Sequence, residues 1–267
     1  RVRSSAASDV YKRQAAHSDV GIKKNTNQDS LLIKIAQTNL GRVCLCVVCD
    51  GMGGLAKGEL ASATVIRVFE HWFERIFPAM LLRGFQAEEL KLQWDNIVLE
   101  QNQALSTYAS KQGTRMGTTI VALLIIGDQY YIMNVGDSRA YLLSDGVYQL
   151  TKDQTLVQYE LDQGRITLEE ARVHPQRNVL LQCVGASDVV TPDFYGGTIQ
   201  QNSVFVLCSD GFRHVITPEE IYEKLNPGVL VNEKVMKRNA IWLTELNKQR
   251  REVDNISVAV VGTYQEG

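Results

Sequence analysis

Residues 117–150 read GTTIVALLIIGDQYYIMNVGDSRAYLLSDGVYQL, and their punctuation decides the fold class. Segments 118–126, 129–135, 139–143 and 147–150 are rich in β-branched and aromatic residues, as strands are. Gly127-Asp128 and Ser144-Asp145-Gly146 are hairpin punctuation. Parallel strands need a crossover of about a dozen residues or more, so these joints predict an antiparallel meander and exclude a dinucleotide-binding βαβ sheet here. Working outward, further strands are expected at 29–36, 43–49, 203–208 and 256–263. A helix is expected over 57–77, with Leu60, Ala61, Val65, Phe69, Trp72, Phe73 and Ile76 on one stripe and Arg67, Glu70 and Glu74 opposite. Others are expected over 87–111, 217–225 and 229–249, the one at 217–225 opening on Thr217-Pro218 as cap and first helical residue. The fold class is α+β, with helices packed on antiparallel sheets.

The whole chain has 267 residues, a net charge of −2 and 45% hydrophobic residues. These ordinary values exclude a disordered chain and a collagen-like repeat, and near-neutral charge argues against a nucleic-acid binder. The apolar runs 43–49 and 120–126 are far below the ~18 residues of a membrane span. Cys44, Cys46, Cys49, Cys183 and Cys208 are odd in number and sit in or beside apolar segments, which predicts reduced core thiols and a cytoplasmic location. A zinc knuckle at 44–49 is set aside because strand alternation turns Cys49 away from Cys44 and Cys46. Residues 1–14 show no periodicity and are expected to be a disordered or non-native tail. No linker or repeat interrupts 15–267, which predicts one domain.

Four aspartates lie at the ends of apolar strands: Asp50 after VCLCVVC, Asp137 after YYIMNVG, Asp210 after VFVLCS and Asp254 just before ISVAVV. Each alone reads as a turn residue. Together, at one edge of a sandwich, four carboxylates repel unless protonated or neutralised by cations. Every candidate ligand is an oxygen, so the ions should be hard, magnesium or manganese.

At these residues the chain resembles the metal-dependent Ser/Thr protein phosphatases of type 2C, in their bacterial form. The motifs run in order after residue 15: SDVGIKKNTNQDS (18–30), DGMGG (50–54), GTT (117–119), NVGDSRAY (134–141), LTKDQ (150–154), CSDGF (208–212) and DNIS (254–257). The resemblance implies a sandwich of two antiparallel sheets flanked by helices on both outer faces, with a binuclear metal centre at one end. It implies that Asp50 bridges two tightly bound ions, that the Gly51 carbonyl serves one and that Asp210 and Asp254 hold the other. Asp50, Asp210 and Asp254 are then the catalytic set. Asp137 with Asp210 matches a third, weaker ion site, Gln28 and Asp29 stand behind the ligands, and 156–184 matches a mobile flap over the cleft.

Three positions depart from the family pattern. Lys24 stands where an Arg commonly holds phosphate, Gln28 replaces a frequent Glu, and Met52 stands where many eukaryotic members carry a His thought to act as acid. Lys24 keeps the charge without the bidentate fork. His174 in the flap is a weak alternative acid, and His17, His71 and His214 show no grouping in the sequence. The expected activity is metal-dependent hydrolysis of phosphoserine and phosphothreonine on proteins by an activated water, in a monomer with a cognate Ser/Thr kinase and no nucleic-acid or membrane partner. Two rivals stay open: a pseudophosphatase that only binds a phosphoprotein or kinase, and a phosphatase of small phosphoesters.

Overall fold

Antiparallel pairing joins every pair of neighbouring strands in the computed structural model, which describes residues 10–53, 57–200 and 202–265. The strands are β1 (Val10–Asp19), β2 (Ser30–Thr38), β3 (Gly41–Cys49), β4 (Gly51–Gly53), β5 (Met116–Thr118), β6 (Ile120–Ile126), β7 (Gln129–Val135), β8 (Arg139–Leu143), β9 (Val147–Gln149), β10 (Asp193–Thr198), β11 (Ser203–Cys208) and β12 (Ile256–Gln265). One sheet has the order β1-β12-β11-β8-β9 and the other β10-β7-β6-β3-β2, with β4-β5 a small separate ribbon.

The helices are α1 (Lys57–His71), α2 (Phe77–Arg83), α3 (Ala87–Lys111), α4 (Leu156–Asp162), α5 (Leu168–Val173), α6 (Asp210–Arg213), α7 (Pro218–Leu225) and α8 (Glu233–Gln249). Strand alternation sorts the core into three layers. Cys44, Cys46, Val121, Leu123, Phe205, Leu207, Ala259 and Val261 fill the space between the sheets. Val43, Leu45, Val47 and Cys49 point the other way, with Phe69, Trp72 and Trp94 of the covering helices, and α7 and α8 cover the opposite sheet through Ile221, Leu225, Met236 and Leu243. All five cysteines are buried and none is in a disulfide, with Cys49 turned from Cys44 and Cys46. Among the described residues no helix is long and apolar enough to cross a membrane.

Four expectations need correction. Residues 10–14, set aside as tail, belong to β1 and pair with 261–265 of β12; residues 1–9 lie outside the described part. The meander is split, because the β6-β7 and β8-β9 hairpins form in different sheets. The chain crosses between sheets at Gly136, whose φ of +98° suits glycine and where a Cβ would stand 2.6 Å from Thr119 Cγ2. The helix over 57–77 passes into a π-helical stretch at Trp72–Ile76, whose wider turn shifts the face, burying Phe77 and leaving Ile76 exposed. Finally, α8 begins at Glu233, not 229, because Asn232 caps it by accepting from Val235 N at 2.9 Å.

This topology gathers the informative strand ends. Cys49 pairs with Ser30 and Val135 with Ile120 in one sheet, while Cys208 faces both Arg139 and Val258 in the other. The 136–138 crossover brings those two ends together.

Candidate metal centre

Asp50 follows β3 directly, and its backbone is clamped from the GTT segment. Asp50 N donates to Thr119 Oγ1 at 3.0 Å, while the Asp50 carbonyl accepts from Thr119 N at 2.9 Å and Thr118 Oγ1 at 3.0 Å. The next position must be glycine for space: a Cβ on Gly51 would lie 2.2 Å from Gly58 O and 2.5 Å from Gln28 O. Gln28 is buried and donates from Nε2 to Gly53 O at 3.0 Å, tying the turn after Asp50 to the loop before β2. Asn255, beside Asp254, completes this frame by accepting from Gln28 N at 2.9 Å and donating to Val20 O and Thr26 O.

Asp210 starts α6, and its Oδ1 is buried without a partner. Asp29 lies behind it: Ser209 Oγ donates to Asp29 Oδ2 at 2.9 Å, and Asp29 Oδ1 is likewise buried and unpartnered. Burial, then the charges of Asp29, Asp210, Asp137 and Asp254, hold the Asp50 carboxyl well above the ordinary carboxylate range. Burial, with Asp210 adding to it, pushes Asp137 up to about 7, and burial does the same to Asp29 against the bonds of Ser257 and Ser209. The strand-end aspartates named from the sequence are therefore in one electrostatic neighbourhood.

Cations ring it. Lys24 Nζ stands 3.0 Å from Asp254 Oδ1, both part-exposed, at the mouth. Although burial opposes it, the Asp254 bond and the charges of Asp50 and Asp210 raise the Lys24 pKa. Arg213 Nη2 reaches the Asp137 carbonyl at 2.8 Å and Oδ2 at 3.4 Å. His214 corrects the expectation of an ungrouped histidine: Nε2 is 3.3 Å from Asp210 Oδ2 and Nδ1 3.4 Å from Glu252 Oε2. Burial lowers its pKa, but the Glu252 bond and Asp210 outweigh that and raise it. Sequence reasoning missed Arg213, His214, Arg139 and Asp153; the one usable signal was that Asp153 and Arg139 fall inside the LTKDQ and NVGDSRAY motifs. His174 is not drawn in, since its Nδ1 accepts from Gln176 N at 3.1 Å within the flap.

Among the described residues, no three His, Cys, Asp or Glu side chains close to the spacing of a metal site. The donor set nonetheless fits hard cations. It is all oxygen, it holds orphaned buried oxygens on Asp29 and Asp210, and its carboxyls bear raised pKa values that positive charge would relieve.

That strain has a measurable consequence in chelator. A carboxyl with a raised folded pKa keeps its proton up to about pH 7 in Asp29 and Asp137, whereas the unfolded chain loses it near pH 4. Between those values the folded state binds more protons, so the metal-free protein loses stability as pH rises from about 4 through 7. Asp50→Asn removes one of the repelling charges and raises the metal-free melting temperature at pH 8, by about 2–4 °C per kcal/mol relieved. Scanning calorimetry in chelator at pH 5.5 and 8 checks this; an unchanged or lower melting temperature for Asp50→Asn at pH 8 contradicts the crowding of charge.

A two-sheet sandwich with helices on both faces and acidic strand ends converging at one end defines a structural class, the α+β sandwich with an acidic strand-end cluster. Within it the chain belongs to the protein phosphatase 2C family, whose sequence profile matches residues 13–244. It is 35% identical over 219 residues to the serine/threonine phosphatase Stp of Listeria innocua, covering 80% of this chain and 82% of that one. The structure of the Streptococcus agalactiae serine/threonine phosphatase matches with a TM-score of 0.81 at 29% identity, over 96% of this chain and all of that one. A PstP catalytic domain in complex with two manganese ions matches with a TM-score of 0.76 at 31% identity, over 96% and 99% of the two chains.

Proposed function

We propose that this protein hydrolyses phosphoserine and phosphothreonine monoesters on proteins at a centre of two divalent cations, manganese or magnesium. The observation that carries the reading is the buried crowd of carboxyls around Asp50, whose pKa is driven up by burial and then by its neighbours and which bound cations would stabilise in the ionised form. The two manganese ions of the PstP relative support the number. Asp50 and the Gly51 carbonyl, with Asp254 and Asp210 through its free Oδ1, would hold the two ions. Bound there, the ions would supply Lewis acidity that lowers the pKa of water and charge that offsets the phosphoryl oxygens.

The chain's own residues do the rest. The Thr118 and Thr119 bonds and the Gln28 frame hold Asp50 and Gly51 in place before substrate arrives. Met52 has no proton to give, so the leaving-group oxygen takes its proton from water or from another residue. A cysteine route is disfavoured because all five thiols are buried and no C-x5-R loop is present. The flap, 156–184, is pinned at its base by Leu181 N to Gln154 O at 2.8 Å and Val184 N to Thr118 O at 3.0 Å, and carries exposed Leu168, Val173 and Leu181. We assign it control of substrate access. A Ser/Thr kinase must supply the substrate, and buried, reduced thiols suit a cytoplasmic setting.

Lys24 is assigned to positioning the phosphate. Its ammonium stands beside Asp254 and can turn to a dianionic phosphate at the same mouth. One charge-assisted contact is worth roughly 1–3 kcal/mol, so Lys24→Ala lowers kcat/KM by about tenfold to a hundredfold. Lys24→Arg equals or exceeds the wild type, because its fork holds two oxygens. The exposed pair with Asp254 contributes little to stability, about 0–1 kcal/mol, so melting temperature barely moves. Steady-state kinetics on a phosphothreonine peptide decide: unchanged kcat/KM in Lys24→Ala, with the loss in Lys23→Ala instead, places the contact one residue back.

A further inference from the structure

Beside the carboxylates assigned to the two ions lies a second charged group that closes on itself. Arg213 Nη2 contacts Asp137 O at 2.8 Å, Asp137 Oδ2 at 3.4 Å and Asp153 Oδ2 at 3.3 Å. Asp153 in turn takes a fork from Arg139, Nε to Oδ1 and Nη2 to Oδ2 at 2.7 Å each, and Arg139 Nη1 donates to Tyr141 OH at 3.0 Å. The side chains of Arg213, Asp137 and Asp153 are only 11%, 7% and 9% exposed. Two guanidiniums therefore face two carboxyls out of water, so the Asp137 side of the centre already carries fixed positive charge.

The same short helix settles the other side. Four residues after Asp210, His214 takes Asp210 Oδ2 and is braced from behind by Glu252, so the oxygen that Asp210 leaves free is Oδ1. A divalent ion held between Asp137 and Asp210 by their outer oxygens would strip Asp137 Oδ2 from Arg213 and Asp210 Oδ2 from His214, and it would sit beside the guanidinium that already faces Asp137.

We propose that Arg213 is a tethered cation on the Asp137 side of the centre, so that this chain takes two divalent ions and has no third-ion site between Asp137 and Asp210. Arg213 and His214 are positioning residues: they hold the outer oxygens of Asp137 and Asp210 and present Asp210 Oδ1 inward. The inference rests on the two-cation reading above and replaces the third, weaker site expected from sequence resemblance.

Counting bound manganese tests it, by calorimetric titration and by metal analysis of the full chain equilibrated with millimolar manganese. The wild type binds two ions, and Asp137→Asn also binds two, each with a dissociation constant within about twofold of wild type. Arg213→Met opens the site to a third ion, while Arg213→Lys, keeping the charge, returns the count to two. If Arg213→Met does not fold, the Asp137→Asn comparison still decides. Three ions in the wild type, with the weakest lost in Asp137→Asn, overturns the proposal and leaves the two-cation centre standing. An Arg213→Met protein that melts as a folded chain yet binds only two ions overturns it as well. A wild type that binds no manganese defeats the metal centre itself, and this proposal with it.

Discussion

Asp50→Asn, Asp210→Asn and Asp254→Asn each lower kcat on a phosphothreonine peptide by at least about a thousandfold, with a folded protein in every case. Asn keeps the shape of Asp and one oxygen but loses the charge, so what it removes is the hold on the cation. A bound metal contributes several kcal/mol of charge stabilisation and supplies the nucleophile, and each 1.36 kcal/mol is about tenfold in rate. Losing about 4 kcal/mol thus gives the thousandfold. The fold survives because the backbone clamps on Asp50 come from Thr118 and Thr119 and do not use the carboxyl. Asp254 is more exposed, and its side chain already accepts from Asn255 N at 2.8 Å, so its variant keeps the local turn. Metal titration alongside kinetics separates the outcomes. A variant that retains more than about a tenth of wild-type turnover identifies its aspartate as a turn residue and breaks the constellation.

The sequence makes the strand ends legible because each key aspartate lies within two residues of an apolar run, and a run that ends at one end of the sheet carries the residues beside it to that end. It hides the pairing of charges. Arg213 meets Asp137 across 76 residues, Lys24 meets Asp254 and His214 meets Glu252, and only the register of β8, β11 and β12 brings them together. The split of the meander is hidden for the same reason: turn residues mark where a strand stops, not which sheet takes the next one. β1 escapes notice because its VYKRQ start reads as a polar tail, yet Gln14 N is held by Glu233 Oε1 at 3.3 Å and the Ala16 carbonyl by Lys237, side chains of α8 that seal the edge of this strand. β10 is not among the expected strands, because Gly196 and Gly197 weaken its strand pattern; a Cβ on Gly197 would lie 2.6 Å from Tyr130 Oη.

Removing metal is the other large effect expected, and it bears on the central claim. Without divalent cations nothing in the site is placed to lower the pKa of water, since Lys24, Arg213 and His214 are already engaged with Asp254, Asp137 and Asp210. Chelation therefore abolishes turnover, and manganese or magnesium restores it because oxygen donors suit hard ions. Zinc restoring activity where both fail would change the ion and leave the mechanism. The decisive measurement is phosphate release from a phosphothreonine peptide by chelator-treated, desalted protein before and after adding manganese. The account predicts no release before addition and sustained multiple turnover after it. Full release in chelator, or none with manganese from a folded protein that binds two ions, contradicts it.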